Sequence, residues 1–238
     1  MFIGNDLRLK KRLVVLVCFL TAVFSLSIFA ARGVMTDTLM KEKTAYTLVI
    51  DAGHGGIDCG ALAADGSRES DINLTIAQKL RALAEFYALD NAMIRQDDTT
   101  KSTSEEYSEH SDLVHRVELV NAESNPVLIS RHQNSYPTGQ PSGPQVIYAL
   151  SGGSEAFGKL THANLITMLD PQNRRVAMPD DGSLYMLSHL ECPAILVECG
   201  FMSNFSDIER LKSTEYQTAL SAVLAASYIQ YSTGTIHT

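Results

Sequence analysis

No Cys-x-x-Cys pair occurs in the chain, and its four cysteines, Cys18, Cys59, Cys192 and Cys199, follow no regular spacing. A cysteine-bound zinc cluster needs closely paired thiolates, and a disulfide framework needs an even set at ordered intervals, so neither organises this protein. Cys18 lies in an N-terminal apolar run, and the other three read as small buried hydrophobes. Positive charge is also in short supply: 19 lysines and arginines stand against 27 aspartates and glutamates, a formal net charge of −8. General nucleic-acid binding requires a basic footprint, so no nucleic-acid partner is expected. Internal repeats and low-complexity tracts are missing too. What remains is 238 residues, 45% of them hydrophobic, enough for one ordinary domain with a proper core and some additional chain.

The additional chain is at the N-terminus. Arg8, Lys10, Lys11 and Arg12 precede LVVLVCFLTAVFSLSIFA, residues 13–30, which carries no charge and shows no polar face. As a helix it would span about 27 Å, close to the ~30 Å of a hydrocarbon core. The basic flank predicts that the amino end stays inside and the remainder crosses. Ile28 and Phe29 make a poor cleavage site, so a retained membrane anchor is expected over a cleaved signal peptide that would release a secreted protein. Either way the main domain is extracytoplasmic. The expected organisation is an anchor or signal segment over 1–31, a polar linker over 32–44, the main domain over 45–232 and a tail over 233–238.

Within 45–232, short β-rich runs alternate with helical ones. Strands are predicted at 45–51, 91–95, 125–132, 145–150 and 192–198, and helices at 71–89, 112–123, 155–169 and 214–231. Asp71 or Ser70 is expected to cap the first helix. The polar stretch 97–111 reads as a mobile loop over a site. Strands alternating with helices of this length imply an α/β fold, a mostly parallel central sheet flanked by helices.

Ligands of open α/β sheets bind beyond the carboxyl ends of the strands. His54 follows the first strand, in a glycine turn. Those glycines do not make GxGxxG, and no GxxxxGK[ST] follows, so the turn is no phosphate cradle. His132 ends the third strand and Glu198 the fifth, while Glu69 stands at the start of the first helix. Parallel strands would bring all four to one edge. Two imidazoles and a carboxylate suit catalytic zinc, and a further carboxylate suits a proton carrier for amide hydrolysis. Spacing leaves open which carboxylate does which.

The segments DAGHGG (51–56), ESDINL (69–74), SRHQN (130–134) and VECGFMSN (197–204) occur in this order. With them the chain, from about residue 46 to 231, resembles the zinc-dependent N-acetylmuramoyl-L-alanine amidases of the amidase-3 type. The resemblance implies that His54, Glu69 and His132 bind Zn2+, that Glu198 is the catalytic base and acid, and that the substrate is peptidoglycan. The bond cleaved would be the amide between the lactyl group of N-acetylmuramic acid and the first L-alanine of the stem. An anchor plus one bare domain is similar to the short amidases acting on spore cortex. Targeting then rests on the anchor or on a protein partner such as an activator, which the sequence does not identify. The alternatives are a related zinc peptidase acting on stem peptides and a non-catalytic peptidoglycan-binding protein.

Two positions depart from the family pattern. Arg131 replaces an apolar residue before the ligand histidine; neighbours in a strand point to opposite faces, so it should point away from His132 into a covered face, where its charge needs a partner. Cys59 stands where proline or a small residue is common. Asp51 is expected to orient a ligand histidine by hydrogen bond. Asn134 and Ser135 are candidates for substrate contact or chain turning, and Arg174 and Arg175 for a peptide carboxylate or a solvated pair. His110, His115, His162, His189 and His237 are expected to be solvated or capping.

Overall fold

The computed structural model describes residues 45–234. The expected segment 1–31 and the whole of the linker 32–44 therefore lie outside the described residues, as do residues 235–238 of the expected tail. No helix among the described residues is long and apolar enough to cross a membrane.

Six strands form one sheet: β1 (Thr47–Ala52), β2 (Asn91–Met93), β3 (Pro126–Asn134), β4 (Gln145–Tyr148), β5 (Met178–Pro179) and β6 (Ala194–Phe201). Their order is β2-β1-β3-β6-β4-β5. The pairs β2-β1, β1-β3 and β3-β6 are parallel, whereas β4 runs antiparallel to β6. The helices are α1 (Glu69–Phe86), α2 (Glu109–Asn121), α3 (Ser154–Met168), α4 (Tyr185–His189), α5 (Phe205–Lys212) and α6 (Thr214–Ser232). The α/β fold with a mostly parallel, helix-flanked sheet is as the sequence predicts.

Period-two alternation divides the central strands between two faces. Leu48, Ile50 and Ala52 of β1, Val127 and Ile129 of β3, and Ile195, Val197 and Cys199 of β6 join one core, closed by α1, α3, α5 and α6. Burying each of the larger side chains stabilises the fold by about 1.5–3 kcal/mol. The intervening positions face a second core with α2 and α4. There the pattern changes along the strands. Val49, Leu128 and Leu196 are buried apolar residues. The next positions on this face are Asp51, Ser130 and Glu198, followed on β3 by His132. One sheet face is thus apolar toward its amino end and polar toward its carboxyl end.

Several expectations shift in detail. His132 and Glu198 lie inside β3 and β6 rather than at their ends, because both strands continue past them. The first helix begins at Glu69 and has no side-chain cap. Its leading amides donate to the chain instead: Glu69 N to Ala61 O (3.0 Å) and Ser70 N to Cys59 O (3.1 Å). Stretch 97–108 has no regular element but is tied down. Asp98 accepts from Gly56 N (2.8 Å), Thr100 donates to Asp112 (2.5 Å) and Thr103 N donates to Ser111 (3.1 Å).

Candidate metal centre

The turn after β1 is shaped for close approach. His54 has φ 63°, a left-handed conformation that costs a non-glycine residue about 1–2 kcal/mol. Arg116 of α2 holds it, donating through Nη2 to His54 O (2.8 Å). A methyl group on Gly53 would sit 2.3 Å from the His132 ring, and one on Gly60, at φ 63°, 2.6 Å from Glu69 Oε2. These two glycines let two loop segments pack directly on the donor side chains.

Three donors converge from three elements. Glu69 Oε1 lies 3.2 Å from His54 Nε2 and 3.2 Å from His132 Nδ1. The two imidazoles meet edge to face with centroids 4.9 Å apart. One ligand atom from each residue falls within 4.8 Å of the others. A tetrahedral ion with bonds near 2.0 Å holds its ligands about 3.3 Å apart, so the trio fits such an ion. Glu69 is itself fixed: Oε1 accepts from Gln133 N (2.9 Å) and Oε2 from Ala61 N (2.9 Å). Asn73 spans Glu69 Oε1 (3.3 Å) and Gly53 O (3.2 Å). Burial opposes its charge, but the two imidazoles hold the carboxyl well below the ordinary range. His54 is raised to about 9, since the Glu69 and Asp58 carboxylates outweigh its burial.

Glu198 pairs with His132 in the β3-β6 register and shares its sheet face. Its Oε2 is buried with no hydrogen-bond partner. Burial raises its carboxyl to about 7; His132 pulls the other way and Glu69 adds to the rise. A cleft of about 290 Å³ joins His54, His132 and Glu198 to Tyr107 and to Leu184 and Met186 of the α4 region.

Asp51 does not orient a histidine by hydrogen bond, contrary to expectation. It is fully buried, and its two oxygens are taken by Arg116 Nη1 (2.6 Å) and Ser130 Oγ (2.6 Å). The carboxylate on a histidine is Asp58, with Oδ2 2.7 Å from His54 Nδ1. Sequence reasoning passed over Asp58, Tyr107 and Arg116. Only Asp58 left a signal, an acid four residues beyond the histidine. Arg131 does point away from His132. It is fully buried, donates through Nη2 to Asp51 O, and leaves Nε and Nη1 without partners. Burial lowers it to about 10.

The remaining candidates lie apart from the trio. Cys59 is half-buried and donates to Gly60 O (3.3 Å). Asn134 ends β3, and its O accepts from Met202 N (2.7 Å) just beyond β6, continuing the β3-β6 pairing. Arg174 is exposed and donates to Pro171 O (2.9 Å), while Arg175 donates to Gln145 and stacks over the Phe201 ring. His162 is buried against Arg175 O (2.8 Å), and His189 stacks on Tyr185. His237 lies outside the described residues.

Residues 48–228 match the family described as N-acetylmuramoyl-L-alanine amidase. A germination-specific N-acetylmuramoyl-L-alanine amidase of Bacillus subtilis is 28% identical over 193 residues, covering 78% of this chain and 79% of that protein. Among solved structures, the CwlD amidase of Clostridioides difficile, in complex with the GerS lipoprotein, superposes with a TM-score of 0.74 at 31% identity. That match covers 80% of this chain and 99% of CwlD. An amidase of Nostoc punctiforme gives a TM-score of 0.69 at 29% identity, over 80% of this chain and 98% of that one.

Proposed function

Since this chain belongs to the N-acetylmuramoyl-L-alanine amidase family, we infer that it hydrolyses the amide between the lactyl group of N-acetylmuramic acid and L-alanine in peptidoglycan. It is a hydrolase of the bacterial cell wall and acts outside the cytoplasm. The observation that carries our reading of the site is the contact of one carboxylate oxygen, Glu69 Oε1, with both His54 Nε2 and His132 Nδ1 at 3.2 Å.

In this reading His54, Glu69 and His132 hold the ion, and the ion is zinc, whose preference for nitrogen and oxygen donors the trio meets. When bound, zinc polarises the scissile carbonyl and acidifies the attacking water. Glu198 is the proton carrier. It takes a proton from the water as the new C–O bond forms. It returns that proton to the alanine nitrogen as the C–N bond breaks. A carboxyl raised to about 7 can both accept and donate near neutral pH. Tyr107 and the apolar residues Leu184 and Met186 line the cleft beside these groups.

The architecture proposed is a membrane anchor or signal segment over 1–31, a linker over 32–44, the amidase domain over 45–232 and a short tail. Retention at the membrane, action on spore cortex and a protein partner belong to the same proposal. The cortex role is supported by likeness to a germination-specific amidase. The partner is supported by likeness to CwlD, solved with a lipoprotein. The deciding experiment labels new amino termini on purified peptidoglycan treated with the protein, with and without a zinc chelator. New N-terminal alanine that disappears with chelator is expected. Free amino acid released from stem peptides would instead indicate a zinc peptidase, and no new termini from metal-loaded protein would indicate a binding protein.

A further inference from the structure

Behind His54, on the side away from Glu69, stands a second group of side chains. Asp58 Oδ2 is 2.7 Å from His54 Nδ1, and Asp58 Oδ1 accepts from Gly60 N (3.0 Å). The same Oδ2 also accepts from the Tyr107 hydroxyl at 3.2 Å. Tyr107 is 49 residues away in sequence, on the strapped segment before α2, and it lines the cleft. Gly60 in turn packs against both Glu69 Oε2 and the His54 ring. One carboxylate therefore meets an imidazole, the backbone that abuts a second donor, and a tyrosine on the wall of the cleft.

We propose that Asp58 and Tyr107 are positioning residues of the metal centre, with Asp58 setting the tautomer and ring orientation of His54 and Tyr107 fixing Asp58. The inference rests on the metal reading given above. A carboxylate on Nδ1 keeps the proton on that nitrogen and leaves the Nε2 lone pair directed at Glu69 Oε1, the direction a shared cation needs. Asp58 is partly exposed, with 30% of its side-chain surface open, so without a second contact its carboxylate could rotate toward water. Gly60 N fixes one oxygen and Tyr107 the other. Because Tyr107 faces the cleft, the stem or glycan that enters also meets the residue holding this arrangement.

The test measures zinc affinity of the full-length protein by competition with a chromogenic chelator, alongside melting of the metal-free form. Asp58→Ala is expected to weaken zinc binding by about 10- to 100-fold. Asp58→Asn should recover part of that loss, since its side-chain oxygen still accepts from Nδ1–H. Tyr107→Phe should weaken binding by about 3- to 10-fold, and should change nothing further when added to Asp58→Ala, because the hydroxyl acts only through the carboxylate. Wild-type affinity in Asp58→Ala and Asp58→Asn overturns the proposal, as does an undiminished Tyr107→Phe effect in the Asp58→Ala background. A wild-type protein that takes up no zinc overturns both this inference and the metal reading, whereas zinc-binding wild type with indifferent variants overturns this inference alone.

Discussion

Glu198 sits where a carboxylate is costly. Apolar residues precede it in β6, one of its oxygens is closed off without a partner, and burial raises it to about 7 from an ordinary 4.5. A raised carboxyl binds a proton in the folded state that it has lost in the unfolded state. The fold is therefore unpenalised below about 4.5 and progressively penalised as pH rises through about 7, reaching about 3 kcal/mol above it. Glu198→Gln removes the penalty together with the proposed proton carrier. Metal-free Glu198→Gln should thus melt above wild type at pH 8 and level with it at pH 4, while hydrolysis falls by about 100-fold or more. Equal melting temperatures at pH 8 would mean the carboxylate finds a partner in solution. Arg131 presents a similar problem in the opposite core. Its guanidinium is fully buried, with one hydrogen bond to Asp51 O and two nitrogens without partners. Replacing it by methionine keeps the volume and removes the desolvation cost, so Arg131→Met should raise stability by about 1–3 kcal/mol, read by urea denaturation. A destabilised variant would show that water or an ion satisfies the free nitrogens.

The β1–turn–α1 element does more than carry two donors. Gly53 N donates to Arg131 O (3.0 Å) while the residue's missing side chain leaves room for His132. Gly53→Ala would put its methyl group 2.3 Å from that ring, and the ring, not the sheet, has to yield. The variant should fold but bind zinc at least about 10-fold more weakly, measurable by dialysis and metal analysis; full zinc occupancy at wild-type affinity would show that the ring has slack. This element was largely legible in the sequence because each of its features is local: an apolar run, a glycine-flanked histidine, an acid beginning a periodic helix. What escaped reading was either short or remote. The two-residue β5, the five-residue α4 and the eight-residue α5 are too brief for periodicity to register. The cap expected from Ser70 or Asp71 gave way to carbonyls of Cys59 and Ala61, a choice made by the turn's path. Asp51 was expected to orient a ligand histidine, but strand alternation sends it to Arg116, 65 residues away. Such pairings depend on register between strands and on which helix covers which face, and neither is written in spacing along the chain.

At the scale of the whole molecule, the proposed metal centre and the fold share their titrating groups. His54 without metal is raised from 6.5 to about 9, so its protonated contacts stabilise the fold fully below 6.5 and are lost as pH rises through about 9. Glu69 is depressed, so its contribution is present above 4.5 and lost as pH falls toward its low folded value. The metal-free protein therefore draws most from this pair between about 4.5 and 6.5. A cation needs the His54 lone pair that the proton occupies, so the two compete for the same nitrogen. Zinc should consequently add little to thermal stability at pH 6 and progressively more up to about pH 9, where the His54 proton has gone. Melting curves with and without excess zinc across that range provide the measurement, and calorimetry at pH 7.5 in buffers of different ionisation enthalpy should find the His54 proton released as the ion binds. The three side chains bridge the turn after β1, β3 and α1, which strand pairing and a shared core already join, so the increment should appear as a shift of the single unfolding transition and not as a separate local one. A zinc-induced rise of the same size at pH 6 and pH 8.5 would mean that the ion does not displace the His54 proton, and the trio would then have to give way to another set of donors.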